Sequence, residues 1–150
     1  MDPFCSKEGF GRTIFYESEK FMALHDIKPV VLGHVLIVPK RHVLDLLELD
    51  NSEKDDMRKV FDIVVPKVLE MYKASENSYD LTLQVGPYSG RSVPHLHAHI
   101  IPRRKDDVYQ REDKNIYEDI KLNTSTFSLE DVDREVGRLR KEFKYARETL

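Results

Sequence analysis

Between Pro94 and Pro102 runs His95-Leu96-His97-Ala98-His99-Ile100-Ile101, in which three histidines alternate with apolar residues. No other stretch constrains the fold as tightly. A period of two is the period of a β-strand, whose alternate side chains share a face. Leu96, Ala98 and Ile100 then point into a core, and His95, His97 and His99 form a polar row on the other side. Gly86, Pro87 and Gly90 impose a turn ahead of the row. The strand spanning 95–101 must therefore pair with strands drawn from elsewhere.

Those partners are legible. Residues 12–16 and 21–25 are short β-prone runs separated by the polar Glu17-Ser18-Glu19-Lys20, which predicts a hairpin. A third strand is expected at 34–38, entered through Gly33 and closed by Pro39, and a fourth at 79–85. Asp50, Asn51 and Ser52 offer N-caps to a helix in which Met57, Val60, Phe61, Val64, Val65, Val68, Met71 and Tyr72 recur at helical spacing. Pro66 lies inside that pattern and predicts a kink or a split. Residues 103–127 are polar and without period, so a mobile loop is expected there. Ser128 caps a final helix over about 128–147, whose narrow seam comprises Leu129, Val132, Val136, Leu139, Phe143 and Ala146. Strands followed by flanking helices, in a chain of 150 residues without internal repeats, predict a single α+β domain.

Composition narrows the function. The net charge of −3 lacks the global positive field of a dedicated nucleic-acid binder. No apolar run approaches the ~20 residues of a membrane-spanning helix, and the first residues resemble no signal peptide, so a cytoplasmic location, or a nuclear one, is expected. The single cysteine, Cys5, can form no intramolecular disulfide, and its neighbours offer no base to make it a nucleophile.

The histidine row admits three readings. The rings can be structural, each nitrogen bonded to a backbone carbonyl, but three adjacent imidazoles in an apolar core need many partners. They can hold zinc, yet alternate strand residues lie ~6.6 to 6.8 Å apart, so His95 and His99 start ~13 Å from each other, and further ligands would have to come from His34, His42 or a carboxylate. Or they can serve an extended anion such as an oligophosphate, one imidazole attacking phosphorus while its neighbours orient or protonate. A side chain with an ordinary pKa of ~6.5 suits this, because a neutral nucleophilic nitrogen is available near pH 7.

The row resembles the signature of the histidine triad superfamily, His-φ-His-φ-His-φ-φ with φ apolar. The turn Gln84-Val85-Gly86-Pro87-Tyr88-Ser89-Gly90-Arg91-Ser92-Val93 and the upstream Lys28-Pro29-Val30-Val31-Leu32-Gly33-His34-Val35-Leu36-Ile37-Val38-Pro39 are similar to the fragile histidine triad branch, as is Asn115-Ile116-Tyr117-Glu118, which resembles a mobile loop near the substrate. The resemblance implies a five-stranded antiparallel sheet with flanking helices, joined across a homodimer into ten strands. It implies hydrolysis of dinucleoside polyphosphates, diadenosine triphosphate foremost, to mononucleotides. His97 would be the nucleophile that becomes nucleotidylated, His99 would assist the leaving nucleotide, and His95 and His34 would fix the surroundings. Gln84 and Ser92 match phosphate-contacting positions, Asp26 a ribose-contacting one, and Leu24 and Leu36 positions beside the base, where Phe4 would add an aromatic wall. Mg²⁺ or Mn²⁺ would act through the substrate phosphates, with no organic cofactor and no metal held by the protein itself. Other triad hydrolases, acting on nucleoside phosphoramidates or diadenosine tetraphosphate, and a slow nucleotide-bound signalling module are the alternatives. Two departures stand out: Val85 where the branch has an acidic residue, and Arg91 where it has Gln. The run Arg103-Arg104-Lys105 reads as a solvated edge or as a steering patch.

Overall fold

The computed structural model describes residue 4, residues 10–107 and residues 127–145. Five strands, β1 (Ile14–Glu17), β2 (Phe21–His25), β3 (Val35–Pro39), β4 (Tyr79–Leu83) and β5 (Ala98–Pro102), form one sheet in the order β1-β2-β3-β5-β4, every neighbour antiparallel. Two helices, α1 (Asn51–Met71) and α2 (Leu129–Glu142), accompany it. Neither is long and apolar enough to cross a membrane.

The alternation of each strand divides the sheet into two faces. Phe21, Ala23, Val35, Ile37, Ala98 and Ile100 pack with Val60, Val64, Val65 and Val68 of α1 and Leu139 of α2. The opposite face carries Met22, Leu24, Leu36 and Val38, clustered with Ile14 and Phe4. Leu24 pairs with Leu36 and Leu36 with His99, so these three side chains stand in one row across β2, β3 and β5.

Helix α1 starts at Asp50, whose carboxylate accepts from the Glu53 amide while the Glu53 carboxylate accepts from the Asp50 amide, a reciprocal cap. Of the expected kink or split, the split does not occur: α1 runs through Pro66 as one helix. Pro66 and Asp62 are both exposed, so water can serve the Asp62 carbonyl that the proline leaves without a helical donor. Asp56 on the same helix accepts from the Ser18 hydroxyl at 2.6 Å and from the Lys20 amide at 2.9 Å, tying the β1–β2 turn to α1.

Helix α2 ends at Glu142, short of the expected 147; Lys144 lies in the left-handed region at φ 52°. Its seam is narrower than expected: Val132, Val136 and Leu139 are buried, whereas Leu129, in the first turn, is exposed. Phe143 packs on Phe15 and Tyr16. Cys5, Ala146 and the expected loop with Asn115, Ile116, Tyr117 and Glu118 lie outside the described residues.

β2 matches its expected bounds, and the other strand edges differ from the expectations by at most three residues. Residues 10–13 form a turn of 3-10 helix rather than the start of β1. The larger correction concerns the histidine row: β5 begins at Ala98, so His95 and His97 precede the strand. The reason is local. The Leu96 amide bonds the Val43 carbonyl and the His95 amide bonds the Val93 carbonyl, which takes both out of the sheet ladder. Leu96 and Ala98 are buried on the helix side nonetheless.

Candidate functional site

Backbone groups set the proton positions of the histidine rings. The His97 Nδ1–H donates to the His95 carbonyl at 2.7 Å. A neutral ring with its proton on Nδ1 has its lone pair on Nε2, so the nitrogen at the far end of His97 is the one free to attack. His95 donates from Nε2 to the Pro39 carbonyl at 2.9 Å and is flanked edge-on by His42 and Phe4. The Phe4 ring also leans on His97, 5.1 Å between centroids.

A second chain of protons crosses from β3 to β5. The Val30 amide donates to His34 Nδ1 at 3.0 Å, which obliges a neutral His34 to carry its proton on Nε2. That proton is donated to His99 Nδ1 at 2.9 Å, so His99 in turn carries its own on Nε2. The His99 Nε2 is buried and has no partner among the described residues. An orphaned buried donor is costly unless a ligand takes it, and His99 stands 4.9 Å from His97, ring centre to ring centre.

Asp26 borders this chain. Its Oδ1 accepts from the Lys28 amide at 2.9 Å, and its Oδ2 lies 3.4 Å from His34 Nε2 and 4.0 Å from His99 Nδ1. Together with the 2.9 Å between the two ring nitrogens, these sides define a triangle whose centre is ~2.0 Å from each donor, the length of a zinc bond. The proton positions argue the other way. A histidine that ligates a metal donates its other ring N–H to an acceptor, whereas the other nitrogen of His34 accepts from Val30. The donor set has the spacing of a metal site but not its protonation, and it does not fit a resident ion.

Burial pushes the rings of His25, His34 and His97 below the ordinary histidine pKa and takes His99 down to about 2. It raises the Asp26 carboxyl. His97 is thus a neutral base at pH 7. The same shifts fix a sign for stability: below the unfolded-state pKa of ~6.5 the unfolded chain takes up protons that the folded rings refuse, so stability falls as pH drops, by up to about 1.4 kcal/mol per pH unit and ring. Asp26 works in the opposite sense, one carboxyl against four rings. Urea midpoints at pH 7.5, 6.5 and 5.5 should decline in that order; a midpoint independent of pH would contradict neutral buried rings.

The remaining expected residues divide. Leu24 and Leu36 are buried in the row that ends at His99. Gln84 is buried with its Nε2–H on the Ser89 carbonyl at 3.1 Å, where it braces the turn before the histidines. Ser92 is exposed on that turn, and no hydrogen bond joins it to the histidines among the described residues. Two participants escaped sequence reasoning. The Val30 amide has no side-chain signature. His25 was visible only as a strand residue; it faces the helices, donating from Nδ1 to the Asp26 carbonyl and accepting the Gly33 amide on Nε2. A cleft of about 580 Å³ bounded by Leu32, Tyr72, Arg104 and Arg138 contains none of the histidines.

A family model described as HIT domain matches residues 10–106. A bis(5'-adenosyl)-triphosphatase of Saccharomyces cerevisiae is 43% identical over 106 residues, which cover 67% of this chain and 50% of that protein. A bis(5'-nucleosyl)-tetraphosphatase [asymmetrical] of Schizosaccharomyces pombe is 33% identical over 120 residues, 80% of this chain and 64% of its own length. The chain thus spans between half and two thirds of these relatives. Among solved structures, a hypothetical histidine triad nucleotide-binding protein from Sulfolobus tokodaii superposes with a TM-score of 0.61 at 29% identity, covering 93% of this chain and 94% of the other.

Proposed function

We propose that this chain, which belongs to the HIT domain family, hydrolyses dinucleoside polyphosphates, diadenosine triphosphate foremost, to AMP and ADP through a nucleotide carried on His97. The observation that carries the reading is the bond from His97 Nδ1–H to the His95 carbonyl, which leaves Nε2 as a neutral nucleophile. The Nε2 lone pair attacks the α-phosphorus; a P–N bond forms, the P–O bond to the bridging oxygen breaks, and ADP departs with that electron pair. The unpartnered His99 Nε2–H offers a hydrogen bond to the bridging oxygen as charge grows there. Water then attacks the same phosphorus and gives up a proton to solvent, the P–N bond breaks with its electron pair returning to Nε2, and AMP leaves with His97 restored.

Leu24, Leu36 and Asp26 lie towards β2 and β3 and form the nucleoside end, the leucines against the base and the carboxyl towards the ribose hydroxyls. Gln84 acts by bracing the turn. Ser92, exposed on that turn, offers its hydroxyl to the phosphates. Mg²⁺ or Mn²⁺ enters on the phosphates of the substrate and neutralises them.

Turnover of diadenosine triphosphate, diadenosine tetraphosphate and adenosine phosphoramidate at fixed Mg²⁺ tests the reading, with the dinucleotides expected to be the faster substrates. Preference for the phosphoramidate would replace it with a different triad hydrolase activity. Very slow turnover of all three with tight binding would replace it with a nucleotide-bound signalling role.

A homodimer joined through β4 completes the proposal. The β1 edge is short, bulged and covered, since Arg140 donates to the carbonyls of Ile14 and Arg12. Among the described residues no strand pairs with the outer edge of β4, and Tyr79, Leu81 and Leu83 are exposed along one of its faces. An apolar open edge is a template for pairing. Sedimentation should give a dimer for the natural chain and a monomer for Leu81→Glu; a monomeric natural chain would remove this part.

A further inference from the structure

The turn that leads from β4 to the histidines is a braced unit. Gln84 holds the Ser89 carbonyl, and the Ser89 amide and hydroxyl both close on the Gly86 carbonyl, at 3.3 and 2.7 Å. Gly86 and Gly90 take φ values of 91° and 88°, which other residues rarely adopt. Arg91 follows directly, so its position is dictated by a turn whose polar groups are satisfied. It is half-buried, and no hydrogen bond or ion pair joins its guanidinium to another described residue.

A cation in that situation needs an anion. The Arg91 charge is felt at the ring of His97, where it helps to lower the pKa, whereas the Asp26 carboxylate acts on the same ring in the raising direction. The sheet order places the two on different sides. Leu24 and Leu36 on β2 and β3 lie to one side of β5, while the Arg91 turn departs from β4 on the other. With the nucleoside at the β2–β3 end and phosphorus at His97, the part of a substrate that extends towards β4 is the phosphate chain of the leaving group.

We infer that Arg91 is the clamp for the leaving phosphate chain, gripping the phosphates beyond the one that His97 attacks and favouring substrates with more of them. The inference rests on the reading of the site as a dinucleoside polyphosphate hydrolase and names the part of the substrate that it selects. A guanidinium fork matches two phosphate oxygens at once, and such charge-assisted bonds are about twice as strong as neutral ones. Each further phosphate adds charge within its reach. The positive charge of Arg91 also acts on the departing chain as that chain gathers negative charge with the breaking of the bridging P–O bond, so it serves the transition state as well as binding.

The test uses calorimetry on the whole chain without divalent metal, comparing AMP, ADP and ATP on the natural protein and on Arg91→Gln. ATP should lose roughly tenfold or more in affinity, and AMP no more than about twofold. Arg91→Lys should fall between the two, and it stands in if the Gln variant proves unstable. In parallel, the ratio of kcat/KM for diadenosine tetraphosphate over diadenosine triphosphate should drop in Arg91→Gln. Equal losses for AMP and ATP, or an unchanged ratio, would overturn the clamp, since a merely structural role moves all ligands together. The two readings also fail separately. If the natural protein cleaves no dinucleotide while the ATP-to-AMP contrast still depends on Arg91, the activity falls and the phosphate site stands; the reverse result leaves the activity and removes the clamp.

Discussion

Turnover of diadenosine triphosphate by His97→Asn is expected to fall by roughly 10⁴- to 10⁶-fold, the scale on which a covalent nucleophile is missed. Nucleotide affinity should persist, because asparagine fills part of the ring's volume and the neighbouring rings keep their own partners: His95 on Pro39, His99 on His34. The expectation follows from one proton. With Nδ1–H committed to the His95 carbonyl, the His97 Nε2 lone pair is the one that neither His99 nor His34 can replace, for His99 has its proton on Nε2 and His34 is spent between Val30 and His99. Acid quench of labelled substrate should leave nucleotide on the natural protein and none on the variant. If His97→Ala cleaved as fast as the natural chain, water would be attacking phosphorus directly and the covalent step would be lost.

The second large effect is on folding. Gly33 sits at φ 97° with the Tyr72 ring against it; a Cβ there would come within 2.5 to 2.8 Å of three ring carbons. Gly33→Ala combines a left-handed backbone, about 1 to 2 kcal/mol, with overpacking of about 1 to 3 kcal/mol. A total loss of about 2 to 5 kcal/mol should lower Tm by roughly 10 °C. The ring cannot easily yield, since its hydroxyl donates to the buried Glu135 at 2.8 Å and Arg138 lies over its face. The cycle that separates the two costs pairs Gly33→Ala with Tyr72→Ala. In the absence of the ring, the glycine substitution should cost only the backbone component, about 1 to 2 kcal/mol. An undiminished cost in that background would show that the ring is not what excludes the methyl.

The period-two row located the candidate site, since His97 and His99 come together there at 4.9 Å between ring centres, although only His99 lies on the strand. Its start was misjudged: periodicity cannot show that the Leu96 amide bonds Val43, nor that the His97 ring turns back on its own chain. The faces survived the error, as Leu96, Ala98 and Ile100 are all buried on the helix side. Pro66 misled for a related reason, since propensity does not register which side of a helix meets water. Ser92, which occupies a phosphate-contacting position in the resemblance, is exposed on its turn. The groups least accessible to sequence reasoning were backbone ones. Val30 and Gly33 act through amides that every residue but proline possesses, and only the folded loop aims them at His34 and His25.

Three of the depressed rings, His34, His97 and His99, bear on the end of the proposed catalytic cycle. Uncharged imidazoles give a departing mononucleotide dianion no ion pair once its bond to His97 is cut. Product inhibition by AMP should accordingly be weak and little affected by ionic strength, and desorption should not throttle the reaction. A protein that had charged these same side chains would have gained grip on its substrate and then clogged.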